Sequence, residues 1–340
     1  MPNLKLSFAC DDYLHTRALR DGIVRPEGID LTYLTVFPAQ NFQRMLQFGE
    51  FDIAEMGMKF YISSLGLKDP PFIAIPVFPS RSFRHGAIFV NAKGGIESPR
   101  DLAGKRIGEP FAYGHDAAIW ARGIMQDEYH VAIDSPTYCV GPVDSGTFRE
   151  FAPFGPPSFM RVETLGPGQT LDAMLESGEI DALYSAIVPA CVLRRTGKAR
   201  RLFVNFEAVE RDYYRKTGIF PIMHTLVMRR EIYRQHPWVA QSLYQAFKEA
   251  KKHAYDHYET MARSAFRTMM MPWLSNHYDE NCGLFGEDPW PYGVEPNRKA
   301  LETFLRYHHE QGLSTQKLAP EELFAPETLV DYFPYRPART

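Results

Sequence analysis

RMLQFGEFDIA at residues 44–54 and AMLESGEIDAL at residues 173–183 carry one pattern twice. Aligned, Met45 meets Met174, Leu46 meets Leu175, Gly49 meets Gly178, Glu50 meets Glu179 and Asp52 meets Asp181, an offset of 129 residues (174 minus 45). The pattern reads as a short helix, a glycine that ends it in left-handed backbone, and a short apolar strand of the kind a two-sided sheet buries. A self-similarity at this spacing points to two related lobes.

Each copy has a similar prelude. LKLSFA (4–9) alternates as a strand does, and a loop at 10–13 leads into a helix near Thr16. KRIGE (105–109) is a second strand, and a loop at 110–115 leads into a helix near Asp116. Strand, crossover and strand in this order give parallel pairing with right-handed connections. Ligands on such sheets sit beyond the carboxyl ends of the strands. The loops 10–17, 55–61, 110–116 and 184–189 are therefore expected at one cleft. GAIFVN (86–91) and IMHTLVM (222–228) read as strands near the crossings between lobes. The expected division is 1–91 with 219–340 as lobe one, and 92–218 as lobe two. A long helix is expected over about 237–270, opened by Pro237 and closed by Pro272. Another is expected over about 297–311, closed by Gly312.

The chain of 340 residues has 45% hydrophobic and 23% charged residues, enough apolar material for two cores. A net charge of −3 gives no reason to expect nucleic acid or an anionic membrane as partner. The four cysteines have no paired spacing and read as reduced thiols. No basic-then-apolar leader precedes Asp11, and no apolar run reaches the roughly 18 residues that a membrane span needs, so a cytoplasmic protein is expected. No glycine-rich phosphate loop and no short metal-ligand motif is present, so neither a cofactor nor a metal is expected. A homo-oligomer is compatible with the sequence, which does not fix the assembly state.

DLAGKRIG (101–108) and Gly178–Asp181 resemble segments of substrate-binding proteins. DYLHTRAL (12–19), FPSRSFRH (78–85), GIFPIMH (218–224), HPWVAQSLYQAF (236–247), WPYG (290–293) and EELFAPETL (321–329) together resemble the 4,5-dihydroxyphthalate decarboxylases. The resemblance runs over nearly the whole chain. It implies the α/β, two-lobed type II periplasmic-binding-protein fold, each lobe a mixed sheet flanked by helices with the ligand cleft between them. It also implies a cofactor-independent lyase that turns 4,5-dihydroxyphthalate into protocatechuate and carbon dioxide during aromatic degradation. The rival readings are a solute-binding protein for an aromatic carboxylate, and another enzyme of this fold acting on a different hydroxybenzoate.

The implied reaction needs a base for a phenol, an acid for a ring carbon, and cations for the carboxylate that stays. Arg81 and Arg84 offer the planar fork that binds carboxylates, and Arg17 is a further candidate. His115 is the expected base, in a loop before Asp116, which reads as a helix N-cap. The helix end would keep the imidazole neutral. His224 on the crossing strand, and His85 after it, are the next acid–base candidates. Glu55 and Lys59 end the first repeat strand, and Lys59 could steady a phenolate or supply a proton. Tyr113 and Tyr184 could contact the ring. Trp120 and Arg122 read as packing and surface, and His308 and His309 as surface.

Overall fold

The computed structural model describes residues 2–144, 155–264 and 272–330. Its strands are β1 (Leu4–Cys10), β2 (Ile29–Thr35), β3 (Ile53–Gly57), β4 (Phe72–Ile75), β5 (Ile88–Asn91), β6 (Arg106–Pro110), β7 (Thr137–Gly141), β8 (Arg161–Thr164), β9 (Ala182–Tyr184), β10 (Ala199–Arg201) and β11 (His224–Arg229). Its helices are α1 (Arg17–Arg20), α2 (Pro38–Phe48), α3 (Met58–Leu65), α4 (Asp116–Tyr129), α5 (Leu171–Ser177), α6 (Ala190–Leu193), α7 (Phe206–Thr217), α8 (Arg230–Gln235), α9 (Trp238–Ala262), α10 (Leu274–Phe285) and α11 (Arg298–Glu310).

Two mixed sheets organise them. The first runs β2-β1-β3-β11-β4 and the second β10-β5-β9-β6-β7-β8. In the first, β1 pairs parallel with β2 and β3, while β11 runs antiparallel between β3 and β4. In the second, β6 pairs parallel with β7 and β9, and β5 runs antiparallel to β9 and β10. The repeat strands β3 and β9 thus lie in different sheets. Each follows a helix closed by a left-handed glycine, Gly49 at φ 55° and Gly178 at φ 87°, which places no Cβ against the preceding turn.

The strand at 86–91 differs from expectation. Ile88–Asn91 pairs only within the second sheet, so the chain has already crossed before it. The return crossing falls between β10 and β11. The carboxyl-terminal part stays beside the first sheet, where Phe324 bridges Ala74 of β4, and also reaches the second lobe. Helix α11 packs on α4, where the Trp120 ring meets Phe304 at 5.6 Å and Tyr307 at 5.7 Å between centroids. Gly123 permits this approach, because a Cβ there would lie 2.2 Å from the Tyr307 ring. A continuous apolar core results, running from Phe8 and Phe247 through Trp120 to Leu301, with a smaller one around Leu171, Leu175 and Ile180 in the second lobe. The long helix is observed to Ala262; its expected continuation over 265–270, and the tail beyond 330, lie outside the described residues. Cys10, Cys139 and Cys191 are buried free thiols.

Candidate functional site

The carboxyl ends of β1 and β3 and the start of β11 meet at a fully buried carboxylate, Glu55. His224 Nδ1 lies 2.6 Å from Glu55 Oε1, and the Tyr13 hydroxyl donates to the same oxygen at 2.6 Å. The Asp11 N–H donates to Oε2 at 3.1 Å and the Cys10 thiol at 3.4 Å. Burial opposes the charge, but the hydrogen bonds from His224, Tyr13 and Asp11 outweigh it and hold the carboxyl below its usual range. An ionised Glu55 only accepts, so Nδ1 of His224 carries a hydrogen. Phe42 fixes the other side of the imidazole, edge to face at 5.0 Å. Burial, and then the same carboxylate, drives the Tyr13 hydroxyl and the Cys10 thiol upward and keeps both neutral. His15 stacks on Tyr13 at 5.3 Å, and burial lowers it to about 4.

The second lobe closes over this cluster. The Asp116 carboxylate does not cap its own helix. His115 occupies the cap position, and Asp116 Oδ1 instead accepts the backbone N–H of Lys59 from the first lobe at 2.7 Å. Lys59 is not in a loop, as read from the sequence. It lies in the first turn of α3, fully buried, with its ammonium 4.6 Å from the Phe60 ring centre. Trp120 Nε1 of α4 donates to the Ile222 carbonyl at 2.7 Å, a second tie across the seam.

Arg84, in the crossing segment, is buried, and its Nε has no hydrogen-bond partner among the described residues. Burial lowers it to about 10, with Asp116 and Glu210 opposing; it is charged at neutral pH. His115 is buried beside it, with neither ring nitrogen partnered among the described residues. Burial, then the charges of Arg84, Arg122 and Lys59, lower His115 to about 3. Where the helix dipole was the expected cause, desolvation and three cations act instead. His224, Lys59, His115 and Arg84 therefore gather around Asp116, and Glu55 holds His224.

Other expected residues lie elsewhere. Arg81 spends its fork on the chain itself: it donates to the Phe220 carbonyl at 3.2 Å, the Pro291 carbonyl at 2.7 Å and the Asn297 side chain. His85 is enclosed by Phe203, Tyr213 and Tyr129. Arg17 is exposed and faces Asp12. Tyr113 and Tyr184 are buried around Arg122, whose guanidinium lies 4.3 Å from the Tyr113 ring centre. Arg122 itself is not on the surface but buried against Glu109 at 2.5 Å. His308 is buried too, 3.3 Å from Ser63 Oγ. Tyr13, His15 and Cys10 were not singled out from the sequence, although the loop carrying them was; only its place at the end of β1 marked it.

Among the described residues, ligand atoms of a possible metal group converge only at Glu207, His277 and Glu280, all exposed, where Arg211 already bridges both glutamates. A groove of about 590 Å³ between Arg25–Gly28 and α9 is lined by none of the clustered residues. No helix among the described residues is long and apolar enough to cross a membrane.

Two mixed sheets flanked by helices are the arrangement of the two-lobed binding-protein folds. Solved structures agree. A periplasmic sulfonate-binding protein, SsuA, from Methylobacillus flagellatus superposes with a TM-score of 0.58 over 97% of this chain and 94% of its own, at 14% identity. The aliphatic sulphonate-binding SsuA of Escherichia coli gives 0.53 over 97% and 99%, at 12% identity. No family model matches the chain. A 4,5-dihydroxyphthalate decarboxylase of Comamonas testosteroni is 32% identical over 332 residues, 98% of this chain and 99% of that protein. One of Pseudomonas putida is 33% identical over 215 residues, 63% of this chain and 83% of that protein. The chain belongs to the 4,5-dihydroxyphthalate decarboxylase family, and so to the enzymes built on this fold.

Proposed function

We propose that the protein decarboxylates 4,5-dihydroxyphthalate to protocatechuate and carbon dioxide, with Glu55 and His224 as the base. The observation that carries this reading is the buried 2.6 Å contact between His224 Nδ1 and Glu55, beside the buried guanidinium of Arg84. In the substrate each carboxylate lies para to a hydroxyl. His224 Nε2 takes the phenolic proton, and Glu55 stabilises the imidazolium that forms. The phenolate pair moves through the ring to the carbon bearing the para carboxylate. Arg84 binds the carboxylate that stays, through its planar fork. His115, neutral across the working range, offers the substrate a hydrogen bond rather than serving as base, since a group lowered to about 3 takes protons poorly. Lys59 and Arg84 supply positive charge that favours the phenolate.

A solute-binding protein would need the arginine but not a histidine oriented by a buried carboxylate. We place the reaction in the cytoplasm, which cell fractionation checks. The direct test is incubation with 4,5-dihydroxyphthalate labelled in its carboxyl groups. Equal amounts of protocatechuate and labelled carbon dioxide are expected; bound but unchanged substrate would favour the receptor reading.

A further inference from the structure

The reading above supplies a base but no donor for the ring carbon. We propose that Asp116, delivered from the second lobe, is the acid that protonates the carbon losing its carboxylate; this rests on the decarboxylase reading. The geometry is specific. In the first sheet His224 is paired with Gly57. Asp116 occupies the space beside that glycine, its Oδ2 only 2.4 Å from where a Cβ at position 57 would stand. Its other oxygen is anchored by the Lys59 N–H at 2.7 Å. A glycine at 57 is thus what lets a carboxyl group from the other lobe come up against the histidine strand. Base and acid reach the cleft from opposite lobes, which suits a ring whose reacting oxygen and carbon are para to each other.

The groups facing Asp116 are His224 from β11, Lys59 from α3, Arg84 from the crossing segment and His115 from its own loop. Burial raises the Asp116 carboxyl, and His224 in its protonated form and Lys59 only partly oppose it. Glu55 is held the other way. Two carboxyls in one site with opposed shifts are the usual mark of an acid and a base side. A bound substrate brings further negative charge and raises Asp116 more.

The step balances. The Asp116 O–H bond breaks and its proton bonds to the ring carbon, using the pair supplied by the phenolate. The bond from that carbon to the carboxylate then breaks. Its pair refills the ring, carbon dioxide leaves, and the product phenolate retakes the proton from His224. Asp116 recovers its proton from solvent, one per turnover.

The experiment compares wild type and Asp116→Asn in steady-state production of protocatechuate across pH. Asparagine keeps an oxygen for the Lys59 N–H but has no acidic proton. The expected result is a kcat at least about a hundredfold lower with KM within about threefold. In wild type, kcat falls as pH rises through the raised carboxyl pKa; the variant loses that alkaline limb. Near-normal kcat in Asp116→Asn overturns the assignment while leaving the decarboxylase reading intact. A wild-type enzyme that makes no protocatechuate overturns both. Should the variant fail to fold, the wild-type profile still decides: kcat that does not fall on the alkaline side rules out a carboxyl donor.

Discussion

Two fully buried glutamates stand at the carboxyl ends of strands, one in each sheet, and they serve opposite ends. Glu109 on β6 holds Arg122, a cation that never titrates in the working range, at 2.5 Å, with the Gly114 N–H as second donor at 3.2 Å. Arg122 is in turn held by Gln311 at 2.8 Å and enclosed by Tyr113 and Tyr138. Glu55 on β3 holds His224, a group that can gain and lose a proton, and that keeps some contact with solvent. A buried carboxylate is expensive in either place. Where its partner is permanently charged the pair fixes structure; where the partner titrates, it can perform proton transfer.

Removing a member of each pair tests that difference. The largest effect is expected at the first sheet: His224→Ala and Glu55→Gln should each cut kcat by about a hundred- to ten-thousandfold, with folding retained by circular dichroism. Removal of the base rather than of a binding contact predicts that KM moves little. In the second sheet, Arg122→Met leaves Glu109 buried without its cation. It should destabilise the protein by about 3–5 kcal/mol in chemical denaturation, with kcat altered far less than by His224→Ala. If Arg122→Met abolishes turnover in a protein of normal stability, the division of labour is wrong.

Much of this was legible in the sequence, for reasons that also mark where reading stopped. The repeat at 44–54 and 173–183 revealed two lobes because glycine stops and short apolar strands are local signals. Glu55 and His224 could be singled out because both lie at strand ends that the topology sends to the cleft. Their contact was not legible, since 169 positions separate them and only the antiparallel insertion of β11 beside β3 brings them together. Arg122 reads as a surface charge on a helix until α11, from 189 positions away, lays Gln311 over it. Asp116 fits the local rule for a helix cap, yet a tertiary partner, the Lys59 N–H, outbids its own helix. Strand β5 was placed on the wrong side of the crossing because a four-residue strand does not encode which neighbours it pairs with.

The two arginines of the crossing segment sharpen the same contrast at smaller scale. Arg84→Lys keeps the charge but loses the fork, and should weaken substrate binding by about 1–3 kcal/mol, read as a higher KM. Arg81→Lys should leave KM near wild type and lower thermal stability instead, because Arg81 is committed to the carbonyls of Phe220 and Pro291. The reverse pattern would exchange their roles.

The smallest effect separates His85 from the site histidines by stability rather than by rate. His85 is buried among Phe203, Tyr213 and Tyr129, and burial lowers it to about 4. Unfolded, it titrates near 6.5. Between those values the unfolded chain binds the proton that the folded chain refuses, so stability rises with pH there. The contribution is complete above about pH 6.5 and is lost as pH falls toward 4. A His85→Phe variant has no such proton to refuse. Any packing cost of the larger ring is the same at both pH values and cancels in the comparison. Relative to wild type, the variant should therefore gain about 1.4 kcal/mol on going from pH 7.5 to pH 5.5, one unit below the unfolded value. Denaturation midpoints at the two pH values measure it, and protocatechuate formation at pH 7.5 should stay near normal. A pH-independent difference would mean that His85 is not held neutral by its cage, and a large loss of turnover would return it to the site.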